Sequence, residues 1–88
     1  MTRPELERRV EALMKNGADG PGWRKWHGRI CHEVTVRSDV GDLQLIRETY
    51  AEAADRLQKL GYAAHYEEVL ELADGNHRYY RIGVAIGR

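Results

Sequence analysis

Ile46, Tyr50, Ala53, Leu57 and Leu60 fall three or four residues apart, so on a helix they form one apolar stripe that has to be buried against something. Ser38, Asp39 and Asp42 are candidate N-caps ahead of that stripe, and Gly61 stands at the C′ position that closes it. On both sides the period changes from 3.6 to two. Ile30, His32, Val34 and Val36 alternate with Arg29, Cys31, Glu33, Thr35 and Arg37, the pattern of a half-buried strand. Tyr62 to Ala73 and Arg78 to Ile86 are also strand-like, and Asp74, Gly75, Asn76 and His77 between them predict a hairpin.

The loop length decides which side chains share a face. A three-residue loop of Asp74, Gly75 and Asn76 sets Ala64, Tyr66, Leu70 and Leu72 beside Tyr80, Ile82, Val84 and Ile86. Glu68 is then a misfit on the apolar side. It calls for a bulge near Glu67 and Glu68, or for an exposed margin there.

Ahead of these elements, Thr2 and Glu5 resemble a capping box, Pro4 suits a first turn, and Leu6, Val10, Leu13 and Met14 recur at helical spacing. An N-terminal helix over residues 1–17 follows. Gly20, Pro21 and Gly22 interrupt the chain after it, so the helix is expected to be loosely attached or swapped onto a neighbour. The predicted order is helix, strand, helix, strand, strand, with the last strand either between the other two, as in a split β-α-β unit, or at the edge beyond the second. The expected fold is a two-layer α+β domain, 1–88, with a three-stranded mixed sheet and its helices on one face.

A chain of 88 residues has room for one core only. Its single cysteine, Cys31, cannot form an internal disulfide, which fits a reducing, cytoplasmic setting. No apolar run approaches a bilayer span, and the N-terminus lacks a signal-type apolar block, so no membrane association is expected. Fourteen basic and fourteen acidic side chains cancel, which leaves no global field to attract nucleic acid. The cancellation is uneven along the chain. Residues 1–37 carry eight basic and five acidic side chains, residues 38–76 three and nine, and residues 77–88 three and none. Basic ends around an acidic middle permit head-to-tail or symmetric self-association, and solvated helix faces produce the same pattern.

Chemistry-bearing groups are few. Cys31 and His32 are neighbours on a strand and project to opposite faces, so they cannot act as a nucleophile and its base. His32 is expected in the core, held by a backbone carbonyl or by Glu68. Ser38 is the only serine and reads as a cap. His27, Cys31, His65 and His77 lack the paired spacings of metal sites, and Gly17, Gly20 and Gly22 follow no strand, so neither metal nor cofactor binding is expected.

Two features remain. In Trp23, Arg24, Lys25, Trp26, His27, Gly28 and Arg29, two indoles alternate with cations along what reads as an exposed loop, the other reading being that Trp23 and Trp26 cap the core beneath the N-terminal helix. On the outer face of the last strand, Tyr79 and Arg81 precede Gly83, Ala85 and Gly87, a strip nearly bare of side chains where a helix, a second subunit or a flat ligand could lie. Trp23, Arg24, Lys25, Trp26, His27, Arg29, Tyr79 and Arg81 are accordingly the predicted contact residues. The expected function is that of a small non-enzymatic interaction protein that self-associates and occludes a partner protein; in size and style alone it is similar to small accessory or inhibitor proteins of bacteria and phages. The alternative is nucleic-acid or nucleotide binding through the same aromatic and cationic groups.

Overall fold

The computed structural model describes Pro4, Arg8, Val10, Glu11, residues 22–75 and residues 77–87, with the backbone alone for Trp26, Leu72, Ala73 and Asp74. Its elements are β1 (Arg24–Trp26), β2 (Arg29–Arg37), α1 (Leu43–Lys59), β3 (Ala64–Asp74) and β4 (His77–Ile86). The sheet order is β1-β2-β4-β3, and every neighbouring pair is antiparallel. The chain leaves β2, crosses through α1 to β3 and returns along β4 into the gap between them. This corrects the expected three-stranded mixed sheet. β2 and β3 point the same way but never meet, because β4 takes the place between them, and β1 adds a fourth strand.

β1 exists because His27 and Gly28 make a two-residue turn, with Trp26 registered opposite Arg29. Both turn residues have positive φ, 48° and 76°, as a primed hairpin turn requires. Glycine adopts that conformation freely, and histidine is among the side chains that tolerate it. Trp23 to Arg29 is therefore a short hairpin at the sheet edge, and the exposed loop expected there is corrected.

α1 ends as its sequence predicts. Gly61 has φ of 97°, its N–H bonds the Gln58 carbonyl at 3.0 Å, and the Tyr62 N–H bonds the Leu57 carbonyl at 3.0 Å. That paired closure is the Schellman motif, and it satisfies carbonyls the last turn would otherwise leave bare. At the other end Asp42 stands at the cap position without a side-chain capping bond.

The register pairs Asp74 with His77, so two residues separate the hairpin strands rather than the expected three. The bulge lies between Leu70 and Leu72, not near Glu67 and Glu68. The two departures offset each other. A shorter loop alone would turn β3 over, but the extra residue at Glu71 turns it back, and Leu70 still faces Tyr80 while Tyr66 faces Val84. Leu72 is registered opposite Tyr79, outside the apolar row in which it was expected.

Tyr50, Ala54 and Leu57 of α1 pack on Ala64, Ile82 and Val84, with Trp23, Val34, Val36, Leu43, Ile46, Tyr66, Tyr80 and Ile86 around them. Leu60, the last member of the predicted stripe, lies outside this core and is exposed. Most of the predicted N-terminal helix falls outside the described residues. The four residues described there are helical; Val10 is fully buried and Glu11 pairs with Arg56 of α1. No helix among the described residues is long and apolar enough to cross a membrane.

Candidate functional site

The outer face of the sheet is built of charged side chains laid over small ones. Register sets Arg24, Cys31, Ala85 and His65 in one row, and Glu33, Gly83 and Glu67 in the next. Arg24 and Arg81 both bond Glu33, the second at 3.1 Å, and Arg81 also reaches Glu71 at 3.2 Å. Arg29 and His65 converge on Glu67, the latter at 3.0 Å. Burial alone would raise the Glu67 carboxyl, but its bonds from Arg29 and His65 hold it below the usual range.

Cys31, Gly83 and Ala85 are buried within this lattice, so the strip expected to be bare is occupied. Gly83 is a glycine because β2 presses on it: a Cβ there would stand 2.4 Å from the His32 carbonyl oxygen and 2.8 Å from the Glu33 Cα. The close backbone that an in-strand glycine announces is thus the neighbouring strand, not a second subunit or a ligand.

His32 projects to the opposite face from Cys31. Its Nδ1 and the Tyr50 hydroxyl are 2.9 Å apart, the Trp23 ring meets it edge-on at 5.4 Å, and Gly22 lies over its Nε2. The expected Glu68 partner is corrected. Glu68 takes two bonds from Arg47, at 2.8 and 3.0 Å, and one from the Tyr66 hydroxyl at 2.6 Å. These bonds, Arg47 first, pull its carboxyl below the usual range, and Glu68 sits at the exposed margin that was the other reading of its misfit.

Of the predicted contact residues, Arg24, Arg29, Tyr79 and Arg81 share the outer face of the sheet, and Trp23 does not join them. Trp23 turns inward to the core, and its Nε1 is buried without a hydrogen-bond partner. Arg24, Arg29 and Arg81 are engaged by carboxylates, Lys25 and His27 stand exposed on the hairpin, and Tyr79 is half-buried opposite Arg37. The side chain of Trp26 lies outside the described residues. An open depression of about 430 Å³ is lined by Lys25, His27, Gly28, Arg29 and Ile30. Among the described residues, no group of three or more His, Cys, Asp or Glu side chains is placed to hold a metal ion.

The surface that sequence reasoning missed is the free edge of β3. One side of the strand pairs with β4, and the other carries no strand among the described residues. Val69 and Leu70 are 41% and 51% exposed there. Glu67, Glu68 and Glu71, which would ordinarily discourage strand pairing, are bound by Arg29, Arg47 and Arg81 of the same chain. The one legible signal was Glu68 itself, a charge in an apolar row, which marked a strand lying at a margin. No protein-family model matches this chain, and no curated protein or solved structure matches it either.

Proposed function

We propose that the protein is an interaction module that accepts a strand of a protein partner along the open edge of β3. One observation carries this reading: a long edge strand exposes adjacent Val69 and Leu70 while its carboxylates are neutralised from within the chain. Unpaired N–H and C=O groups along such an edge are a template for main-chain pairing, and the side chains flanking them supply selectivity. The bulge between Leu70 and Leu72 limits the usable template to Ala64–Glu71. Occlusion of a partner by strand addition needs no catalytic group, and the buried thiol of Cys31 suits a cytoplasmic setting. Nucleic-acid binding has weaker support, since Arg24, Arg29 and Arg81 already serve carboxylates.

A photo-crosslinking side chain at position 69, compared with one at the exposed position 44 of α1, tests the reading in the native host. Protein adducts at 69 and not at 44 are the expected result. Absence of adducts at 69, or equal adducts at 69 and 44, would overturn it.

A further inference from the structure

We propose that the strand received by β3 is the β3 of a second copy of this chain, paired antiparallel about a two-fold axis at Glu68. The proposal rests on the strand-addition reading above and names its partner.

Antiparallel neighbours share a face, so a two-fold axis on this strand must pass through one residue and its own mate. An axis at Val69 sets Glu68 against the partner's Leu70 twice, a carboxylate facing an apolar side chain. An axis at Glu67 sets Tyr66 opposite the partner's Glu68 and leaves Leu70 opposite only the small Ala64. With the axis at Glu68, the His65 imidazole lies opposite the partner's Glu71 carboxylate on the outer face, and symmetry repeats the pair. On the helix-side face Tyr66 then lies opposite the partner's Leu70, also twice. This register covers the half-exposed Leu70 with an aromatic ring, and cross-strand pairs of that kind are among the favourable ones.

The residue on the axis is also neutralised within its own chain. Glu68 is held by two of the three Arg47 guanidinium nitrogens, so two copies bring together two neutralised pairs rather than two bare carboxylates. All the paired positions from 65 to 71 keep strict alternation, since the reversal of facing begins beyond the bulge. The result is one continuous eight-stranded sheet from two four-stranded ones, which removes the β3 edge of each copy.

The test combines sedimentation over a concentration series with cysteine cross-linking. The wild-type chain is expected to reach a dimer as concentration rises, and Leu70→Asp to weaken that dimer at least about tenfold, since a carboxylate then faces Tyr66 at two places. Under mild oxidation Glu68→Cys should give a disulfide-linked dimer, because directly opposed strand residues lie within disulfide reach; Gln44→Cys should not. A charge exchange keeps the proposal testable should Leu70→Asp unfold: His65→Asp and Glu71→Lys chains, each weakly dimeric alone, should dimerise when mixed. A strictly monomeric wild type overturns the second copy as partner, yet leaves the strand-addition reading standing if position 69 still cross-links to another protein. A wild-type dimer whose Glu68→Cys variant does not cross-link, and whose charge variants do not complement, overturns the register.

Discussion

The Nδ1 of His32 on β2 and the hydroxyl of Tyr50 on α1 share a hydrogen bond of 2.9 Å that ties the helix to the sheet inside the core. Burial pushes the histidine below its usual value and the tyrosine up to about 12, so near neutral pH both partners are uncharged. The sign of the pH dependence follows. An unfolded chain takes up a proton near pH 6.5, and the folded chain resists it until a lower pH, so stability is fullest above about 6.5 and declines as pH falls through the folded value. The urea midpoint should drop between pH 7.5 and 5.5, and His32→Asn, which keeps a hydrogen-bonding group but does not titrate, should flatten the drop. Glu67 and Glu68 are held low, and their contribution is lost only at more acidic pH, below the window assigned to His32.

Tyr50→Phe removes the other end of the bond. The ring still fills its place in the core, but the half-buried His32 Nδ1 is left without the hydroxyl. The expected cost is about 1–3 kcal/mol, the usual range for an orphaned buried polar group, read from equilibrium unfolding at pH 7.5. A loss below a few tenths would mean that water replaces the phenol.

Gly83→Ala tests the close approach of β2 and β4. The added methyl meets backbone atoms at 2.4 and 2.8 Å, and backbone yields less readily than a flexible side-chain end. A cost of about 1–3 kcal/mol is expected, a fall in melting temperature of several degrees at least for a domain of this size. Ala85→Ser, one pleat further along the same face, serves as a milder comparison; an unchanged melting temperature for Gly83→Ala would show that the strands separate easily.

Much of this architecture was legible because local periodicity and local caps decide it. The 3.6-residue stripe and Gly61 located α1, and strict alternation located β2 from Arg29 to Arg37 and the helix-facing row of β4. Strand order was not legible, since placing β4 beside β2 is a matter of long-range pairing that no local pattern encodes. β1 was missed because a His-Gly turn is a weaker signal than Asn-Gly, although it meets the same backbone requirement. The outer face was misread for a physical reason. Gly83 and Ala85 looked bare when considered alone, but Arg29, Glu33 and Glu67 from neighbouring strands, tied to one another and to Arg81 of β4 itself, close over them, and those neighbours are set by register. Leu70 was assigned correctly to the helix-side row, and its exposure came from a topology that places β3 at the edge.

Trp23 divides the two ways of reading its segment. Packed edge-on to His32 and against the core, it is a structural side chain, whereas Lys25, two residues on, is exposed. Trp23→Ala should therefore destabilise the domain by about 2 kcal/mol or more, as truncating a partly buried aromatic does. Lys25→Ala should leave the melting temperature within about a degree or two, as surface changes do. If Trp23→Ala melted like the wild type, the indole would belong to the surface after all.

Glu33 offers the last discrimination, because it holds Arg24 and Arg81 together on the outer face while only 12% of its side chain is exposed. The Arg24 bond contributes little to stability, since that guanidinium stands largely in water. The Arg81 bond is better shielded, and Glu33→Gln should cost about 1 kcal/mol through it. The same substitution removes the carboxylate shared by both guanidinium groups, while Glu71 still holds Arg81. If those cations are silenced by pairing, the wild-type chain should not retard a single-stranded oligonucleotide even at low salt, and Glu33→Gln should gain a weak retardation that disappears as ionic strength rises. Strong, salt-sensitive retardation by the wild type would instead mean that phosphates outcompete Glu33 and Glu67 for these arginines, and the outer face rather than the β3 edge would become the surface that matters.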